Sequence, residues 1–131
     1  MYGYAGKIAY IDLSAEKVGV KETGEELARQ FIGGSALACR LVYDSIGPET
    51  DPLGPDNPLV FMAGPFVGTS APSSSRFAVC ARSPLTGIWG EATSGGSFGP
   101  GLKRAGFDGL VITGRADRPV YLLVEDGGVK L

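Results

Sequence analysis

The chain has 131 residues, 44% of them hydrophobic, with a net charge of -2, two cysteines and no histidine. This length suits one domain, and the apolar content excludes a disordered segment, which needs low hydrophobicity and high net charge. Scattered Lys and Arg exclude a general nucleic-acid binder, no apolar run reaches the ~18 residues of a membrane span, and the polar start MYGYAGK has no signal-peptide core, so a cytoplasmic protein is expected.

Strand and helix signals alternate along the chain. Lys7 to Leu13 and Val18 to Glu22 flank the short polar connection Ser14–Lys17 and predict an N-terminal hairpin. Thr23-Gly24-Glu25-Glu26 matches a capping box, with Thr23 accepting a backbone N–H and Glu26 reaching back, so one main helix is expected over Glu25 to Ile46. Leu27 and Phe31, and again Leu37 and Leu41, sit four apart and give each half an apolar face. Gly33-Gly34 bends or breaks that helix, Ser35 is available to cap its second half, and Gly47-Pro48 ends it. The Pro- and Asp-rich stretch from Glu49 to Pro58 reads as a surface loop. Leu59 to Ala63 is a continuous apolar run of the kind buried on both faces. Phe77 to Arg82 and Ile88 to Thr93 predict two more strands, joined by the turn residues of Ser83-Pro84-Leu85-Thr86-Gly87. Ser94 is a candidate cap for a helix through Leu102 and Lys103, whose start Gly99-Pro100-Gly101 delays. Leu110–Thr113 and Val120–Val124 follow as strands, and Asp126-Gly127 signals a hairpin into Val129-Lys130-Leu131. A strand cut off three residues after its turn leads to the expectation that these residues are part of a longer protein, since an unfinished edge leaves N–H and C=O groups unpaired.

The chemistry concentrates between Gly64 and Gly109, where ten of 46 residues are glycine. Arg76, Arg82, Lys103 and Arg104 stand there against Glu91 and Asp108, so the segment is net positive within an acidic chain. Bare backbone lets a ligand approach N–H groups with no Cβ in the way, a common way of holding phosphate. The segment therefore reads as a site for a phosphate-bearing ligand. Without histidine the chain lacks the usual general base and the commonest transition-metal ligand. Cys39 and Cys80 have no C-x-x-C spacing and are expected to be buried, unbridged small hydrophobes. Gly95-Gly96-Ser97-Phe98-Gly99 matches the G-x-S-x-G nucleophile elbow but has no base to activate Ser97. Neither G-x-x-x-x-G-K-[ST] nor G-x-G-x-x-G occurs, although a stand-alone phosphate- or nucleotide-binding module stays open as an alternative.

Several blocks occur in fixed order: MYGYAGKIAYIDLS, EELARQFIGGSALA, DPLGPDNPLVFMAGPFVGTSAP, SSSRFAVCARSPLTG, TSGGSFGPGLKRAGFDGLVITGRA and RPVYLLVEDG. They cover nearly the whole chain and resemble the N-terminal domain of the aldehyde ferredoxin oxidoreductase family, tungsten- or molybdenum-dependent enzymes with a bis-pterin dithiolene cofactor. The resemblance implies an α+β domain of antiparallel-rich sheets, the first part of a duplicated sheet-bearing domain. It implies that Arg76 lies against pterin and phosphate groups, where a planar fork of donors suits the task. Gly95 corresponds to a glycine bordering the cofactor, and Gly96 shapes the same turn. Thr93 stands where family members carry Asn, and its main-chain carbonyl corresponds to a ligand of the magnesium joining the cofactor phosphates. Ser73, Ser74 and Ser75 read as ordinary polar loop, and Lys103 and Arg104 as a helix-end charge pair. The iron–sulfur cluster, the catalytic residues near the metal and the remaining domains are implied to lie outside this chain. Aldehyde oxidation with electrons passing to ferredoxin thus belongs to the longer enzyme, and the isolated chain is expected to be inert and to self-associate through its open sheet edges.

Overall fold

The computed structural model describes all residues from 1 to 131. Short runs rich in β-branched and apolar residues form the strands β1 (Lys7–Asp12), β2 (Lys17–Glu22), β3 (Leu59–Ala63), β4 (Phe77–Arg82) and β6 (Gly109–Thr113), joined by the more polar β5 (Trp89–Ser94). They form one six-stranded sheet in the order β2-β1-β6-β3-β4-β5. Every pairing is antiparallel except β1 with β6, which run parallel and set Ala9 beside Leu110 and Tyr10 beside Val111. The fold is α+β. β6 and β3 are central, and the apolar run of β3 is buried as its continuous pattern predicts, apart from its first residue, Leu59.

The two-residue period of the strands sorts the core into two layers. Ile8, Val60, Met62, Ala78, Cys80 and Val111 pack under helix α2 (Gly34–Ser45), against its Leu37, Ala38 and Val42. Ala9, Ile11 and Leu110 point the other way, to Leu102 of helix α3 (Phe98–Arg104) and to Phe107. A separate hairpin, β7 (Leu123–Glu125) with β8 (Gly128–Lys130), turns at Asp126-Gly127 as expected and adds Val124 and Val129 to this second layer. It is tied on by the Gly127 N–H donating to the Ala105 carbonyl at 2.8 Å. The strand expected from Val120 starts only at Leu123, because Val120 and Tyr121 are exposed and have no partner strand.

The helix expected over Glu25 to Ile46 is two helices, α1 (Glu25–Phe31) and α2, separated by Ile32 and Gly33. Gly33 is closely packed here: a Cβ would stand 3.0 Å from the Ala63 carbonyl oxygen and would push that main chain aside. The capping box does not form. Gly24 occupies the N-cap position, Glu26 accepts from Gln30 in the next turn, and the Thr23 hydroxyl donates instead to Asp108 at 2.7 Å. Ser35 likewise caps nothing, its hydroxyl donating to Glu91 on β5 at 2.6 Å. Helix α3 begins at Phe98, ahead of Gly99-Pro100-Gly101, with Ser97 rather than Ser94 before its first turn. Pro100 is tolerated there because first-turn N–H groups have no intrahelical acceptor to lose.

Two polar centres fix the connections. Asp108 is buried at 1% exposure. It accepts from the Ala5 N–H at 2.8 Å, the Gly6 N–H at 2.7 Å, Thr23 and the Lys103 ammonium at 2.5 Å, while Lys103 also donates to the Gly3 carbonyl at 2.8 Å. The N-terminal segment, the end of α3 and the start of α1 thus meet on one carboxylate. Arg82 is the second centre. Its guanidinium donates to the carbonyls of Pro48 and Thr50 at 2.8 Å each and of Gly87 at 2.8 Å, pinning the Pro-rich loop to the β4–β5 turn. Asn57 completes this clamp by donating to the carbonyls of Pro52 and Arg82 and accepting the Arg82 N–H.

Candidate cofactor-binding face

The glycine-rich segment folds into neighbouring pieces at one end of the sheet. Arg76 immediately precedes β4, and Thr93 lies near the end of β5, directly opposite Ala78 in the antiparallel register. Because Ala78 belongs to the layer under α2, Thr93 occupies the same face, and the Arg76 guanidinium reaches across to donate to the Thr93 hydroxyl at 3.2 Å. Gly95 and Gly96 follow β5 and are exposed. A Cβ on Gly95 would meet only the Ser75 hydroxyl, at 3.7 Å, and one on Gly96 would meet nothing within 4 Å. Gly96 has a φ of +82°, so the turn itself requires glycine. The four residues singled out from the sequence are therefore brought together, as a guanidinium, a hydroxyl and a stretch of open backbone at the sheet's edge.

The charges of the segment divide in a way their spacing could not show. Lys103 lies in the last turn of α3 as read, but its side chain is paired with Asp108 and 10% exposed, so it is an internal structural cation. Arg82 is engaged by main-chain carbonyls. Glu91 is held by Ser35 and by the Trp89 indole N–H at 3.3 Å. Arg76 has no carboxylate in ion-pairing range, and its guanidinium faces solvent beside the bare turn. Burial pushes Asp108 up, but hydrogen bonds from Lys103, Thr23 and Ala5 and the Lys103 charge outweigh it, leaving the carboxyl below its ordinary value. Burial, then the Asp108 charge, raise the Tyr4 phenol, whose hydroxyl donates to the Ile32 carbonyl at 2.6 Å.

Cys80 is buried as expected, and burial, reinforced by Glu91 and Cys39, pushes its thiol up to about 12. Cys39 departs from expectation. It is exposed on α2, where it lines an apolar groove of about 530 Å³ with Tyr43, Ile46, Ile88 and Trp89. No group of three or more His, Cys, Asp or Glu side chains is arranged to hold a metal ion. Ser97 is exposed and makes no side-chain bond at the start of α3, so no base stands beside it. No helix is long and apolar enough to cross a membrane. The buried Asp108 centre is not legible in the sequence, since its partners Ala5 and Thr23 lie 103 and 85 residues away and no local pattern announces them.

A mixed sheet with helices on both faces, ending in an arginine beside an open glycine turn, defines an α+β domain with an exposed guanidinium and bare main chain at one sheet edge. Residues 8–131 match the family described as aldehyde ferredoxin oxidoreductase, N-terminal domain, and the chain belongs to that family. It is 44% identical over its whole length to the tungsten-containing aldehyde ferredoxin oxidoreductase of Thermococcus kodakarensis and 43% identical to that of Pyrococcus furiosus, in each case covering 22% of the relative. The aliphatic sulfonate oxidoreductase, WOR-like subunit, of Pyrococcus furiosus is 34% identical, with 21% of it covered. Among solved structures, the active-site complex BamBC of benzoyl coenzyme A reductase with 1,5-dienoyl-CoA superposes with a TM-score of 0.95 at 29% identity, over 98% of this chain and 20% of that one. The chain thus spans about a fifth of the length of these relatives.

Proposed function

We propose that this chain is the cofactor-seating part of a tungsten-dependent oxidoreductase that converts aldehydes to carboxylic acids. The observation that carries this reading is the pairing of Arg76 with Thr93 next to the exposed Gly95–Gly96 turn, in a family whose named members contain tungsten. The local chemistry fits a bis-pterin with phosphate arms. Arg76 has no acidic partner and offers planar, permanently charged donors. Gly95 and Gly96 leave open the volume a Cβ would fill, so a planar ring system or a phosphate can lie on the main chain. Thr93 would offer its main-chain carbonyl to a magnesium ion bound with the cofactor, a role indifferent to the exchange of side chain from Asn. Its hydroxyl keeps a separate task, orienting Arg76.

In this reading Arg76, Gly95 and Gly96 hold the organic part of the cofactor through guanidinium and main chain. When bound, the tungsten or molybdenum bis-pterin supplies two-electron oxidation of an aldehyde to an acid. In the longer enzyme an iron–sulfur cluster held outside this segment would pass the electrons on to ferredoxin in the cytoplasm, and the remaining domains would complete the site. The isolated chain is inert in this reading. The test is Arg76→Ala in the full-length protein, with tungsten measured by mass spectrometry and pterin by fluorescence after release. Hydrogen bonds to charged groups contribute about 1.5–3 kcal/mol each, so both contents should fall together while the circular dichroism spectrum stays unchanged. Unaltered tungsten and pterin per protein would remove Arg76 from the cofactor site.

A further inference from the structure

The exposed turn and Arg76 lie on different strands, and something must set the distance between them. Gly99, in the first turn of α3, is buried although its neighbours Ser97 and Phe98 are exposed. A Cβ added there would stand 2.9 Å from the Ser75 carbonyl oxygen and 3.0 Å from a Val67 methyl, closer than such atoms can approach without displacement. The first of these neighbours is backbone and belongs to the residue before Arg76. Ser75 is also the only residue near the Cβ direction of Gly95. One residue of the Arg76 strand is therefore flanked by both ends of the segment from Gly95 to Gly99.

The surroundings make this contact rigid. On one side, the Gly68 N–H donates to the Ser74 carbonyl at 3.3 Å, and the Ser74 hydroxyl donates to the Ala71 carbonyl at 2.7 Å, so the serine loop cannot retreat freely. On the other, Leu102 is buried in the second core layer and Lys103 is held by Asp108, which anchors α3 along its length. Phe98 meets Phe77 with ring centroids 4.6 Å apart, adding an aromatic contact between the helix start and β4. A side chain at position 99 has nowhere to go except into the main chain of Ser75.

We propose that Gly99 is a positioning residue of the cofactor site: by lacking a side chain it lets α3 seat on the Ser75 main chain, and that contact sets the separation of Arg76 from the Gly95–Gly96 turn. This inference rests on the reading of Arg76 and Gly95 as cofactor-binding. Small misplacements of preorganised donors are costly because the charged hydrogen bonds they make depend steeply on distance and angle.

The experiment uses the full-length protein with three variants, scored for tungsten and pterin per polypeptide and for thermal midpoint. Gly99→Ala is compared with Gly109→Ala, a glycine at least as tightly packed, whose added Cβ would lie 2.5 Å from a Met62 methyl and 2.7 Å from the Phe61 carbonyl but which lies on β6 away from the turn. Both should lower the thermal midpoint, and only Gly99→Ala should lower tungsten and pterin content several-fold in the protein that remains folded. Equal losses of cofactor in the two, or full cofactor content in folded Gly99→Ala, would overturn the inference. Should Gly99→Ala not fold, Val67→Ala/Gly99→Ala removes the methyl clash while keeping the main-chain one, and it carries the same expectation and the same refuting outcome. Arg76→Ala is the third arm. If it retains cofactor, the site reading itself falls; if it loses cofactor while Gly99→Ala keeps it, only the positioning role falls.

Discussion

Removing the Lys103 ammonium would leave a carboxylate stranded inside the protein, at a cost set by the burial of both groups. The side chains of Lys103 and Asp108 are 10% and 2% exposed, so neither is well served by water. Deleting one partner of a buried ion pair costs about 3–5 kcal/mol, because the survivor keeps its desolvation penalty without compensation. In Lys103→Met the Asp108 carboxylate retains donors from Ala5, Gly6 and Thr23, which places this variant toward the lower end. Asp108→Ala leaves those three donors and Lys103 without their acceptor and belongs toward the upper end. For a chain of this length the range corresponds to a fall of about 10–20 °C in thermal midpoint. Urea unfolding followed by circular dichroism measures both variants and the double variant, whose cost should fall short of the sum by about 1–3 kcal/mol. The pH dependence gives an independent arm. Asp108 titrates below its ordinary value of 3.8 in the folded state, so its contribution is complete above that value and disappears as pH falls through the folded one. The stability gap between the unmutated protein and Asp108→Asn should therefore be widest near neutrality and narrow below about pH 4. Lys103→Met costing under about 0.5 kcal/mol, the level of an ordinary surface substitution, or a gap that stays constant down to pH 3, would refute the reasoning.

Two further outcomes are expected from burial and from the sheet edges. A thiol reagent at neutral pH should modify Cys39 and spare Cys80 in the folded protein, since Cys80 is 1% exposed with its thiol pushed up to about 12, and both should react once urea unfolds the chain. Equal rates in the folded state would contradict this packing. The edge strands β2 and β5 are exposed nearly throughout, with only Lys17, Lys21 and Glu22 on β2 and Glu91 on β5 to discourage pairing, so the isolated chain should self-associate at micromolar concentration. A single monomeric species by size exclusion with light scattering would count against it.

The sequence is most legible where structure is local. The apolar run of β3, the strand from Phe77 to Arg82 and the Asp126-Gly127 turn each carry their signal within a few residues, and all three form as read. The departures share one cause. Thr23 and Ser35 have the residue type and spacing of helix caps, yet their hydroxyls serve Asp108 and Glu91, acceptors 85 and 56 residues away. A capping bond contributes about 1 kcal/mol, and a hydroxyl donating to a carboxylate can contribute more, so tertiary partners win. Arg82 hides its function in the same manner, because its acceptors are carbonyls, which every residue has. Residue type alone misplaces Cys39, which sits at the margin of the layer under α2, beside Ile88 and Trp89 at the sheet's edge, and stays exposed.

The same distinction decides what the positive charge between Gly64 and Gly109 can do. Read as a sum, four cations against two anions suggest a diffuse field. Once Lys103 is neutralised by Asp108, and Arg82 is fixed by carbonyls of the Pro-rich loop, that field contracts to exposed groups. Arg76 and Arg104 remain, and Arg104 sits at the far end of α3 beside Gly3 and Thr69. Only Arg76 adjoins the Gly95–Gly96 turn through a measured neighbour, Thr93. In the proposed reading, an anion seated on that turn would meet one oriented guanidinium and open main chain, oriented by where the segment leading into β4 holds Arg76. In that same reading the bare backbone of Gly99 against Ser75, which carries no charge at all, would bear on the site along with the arginine that does.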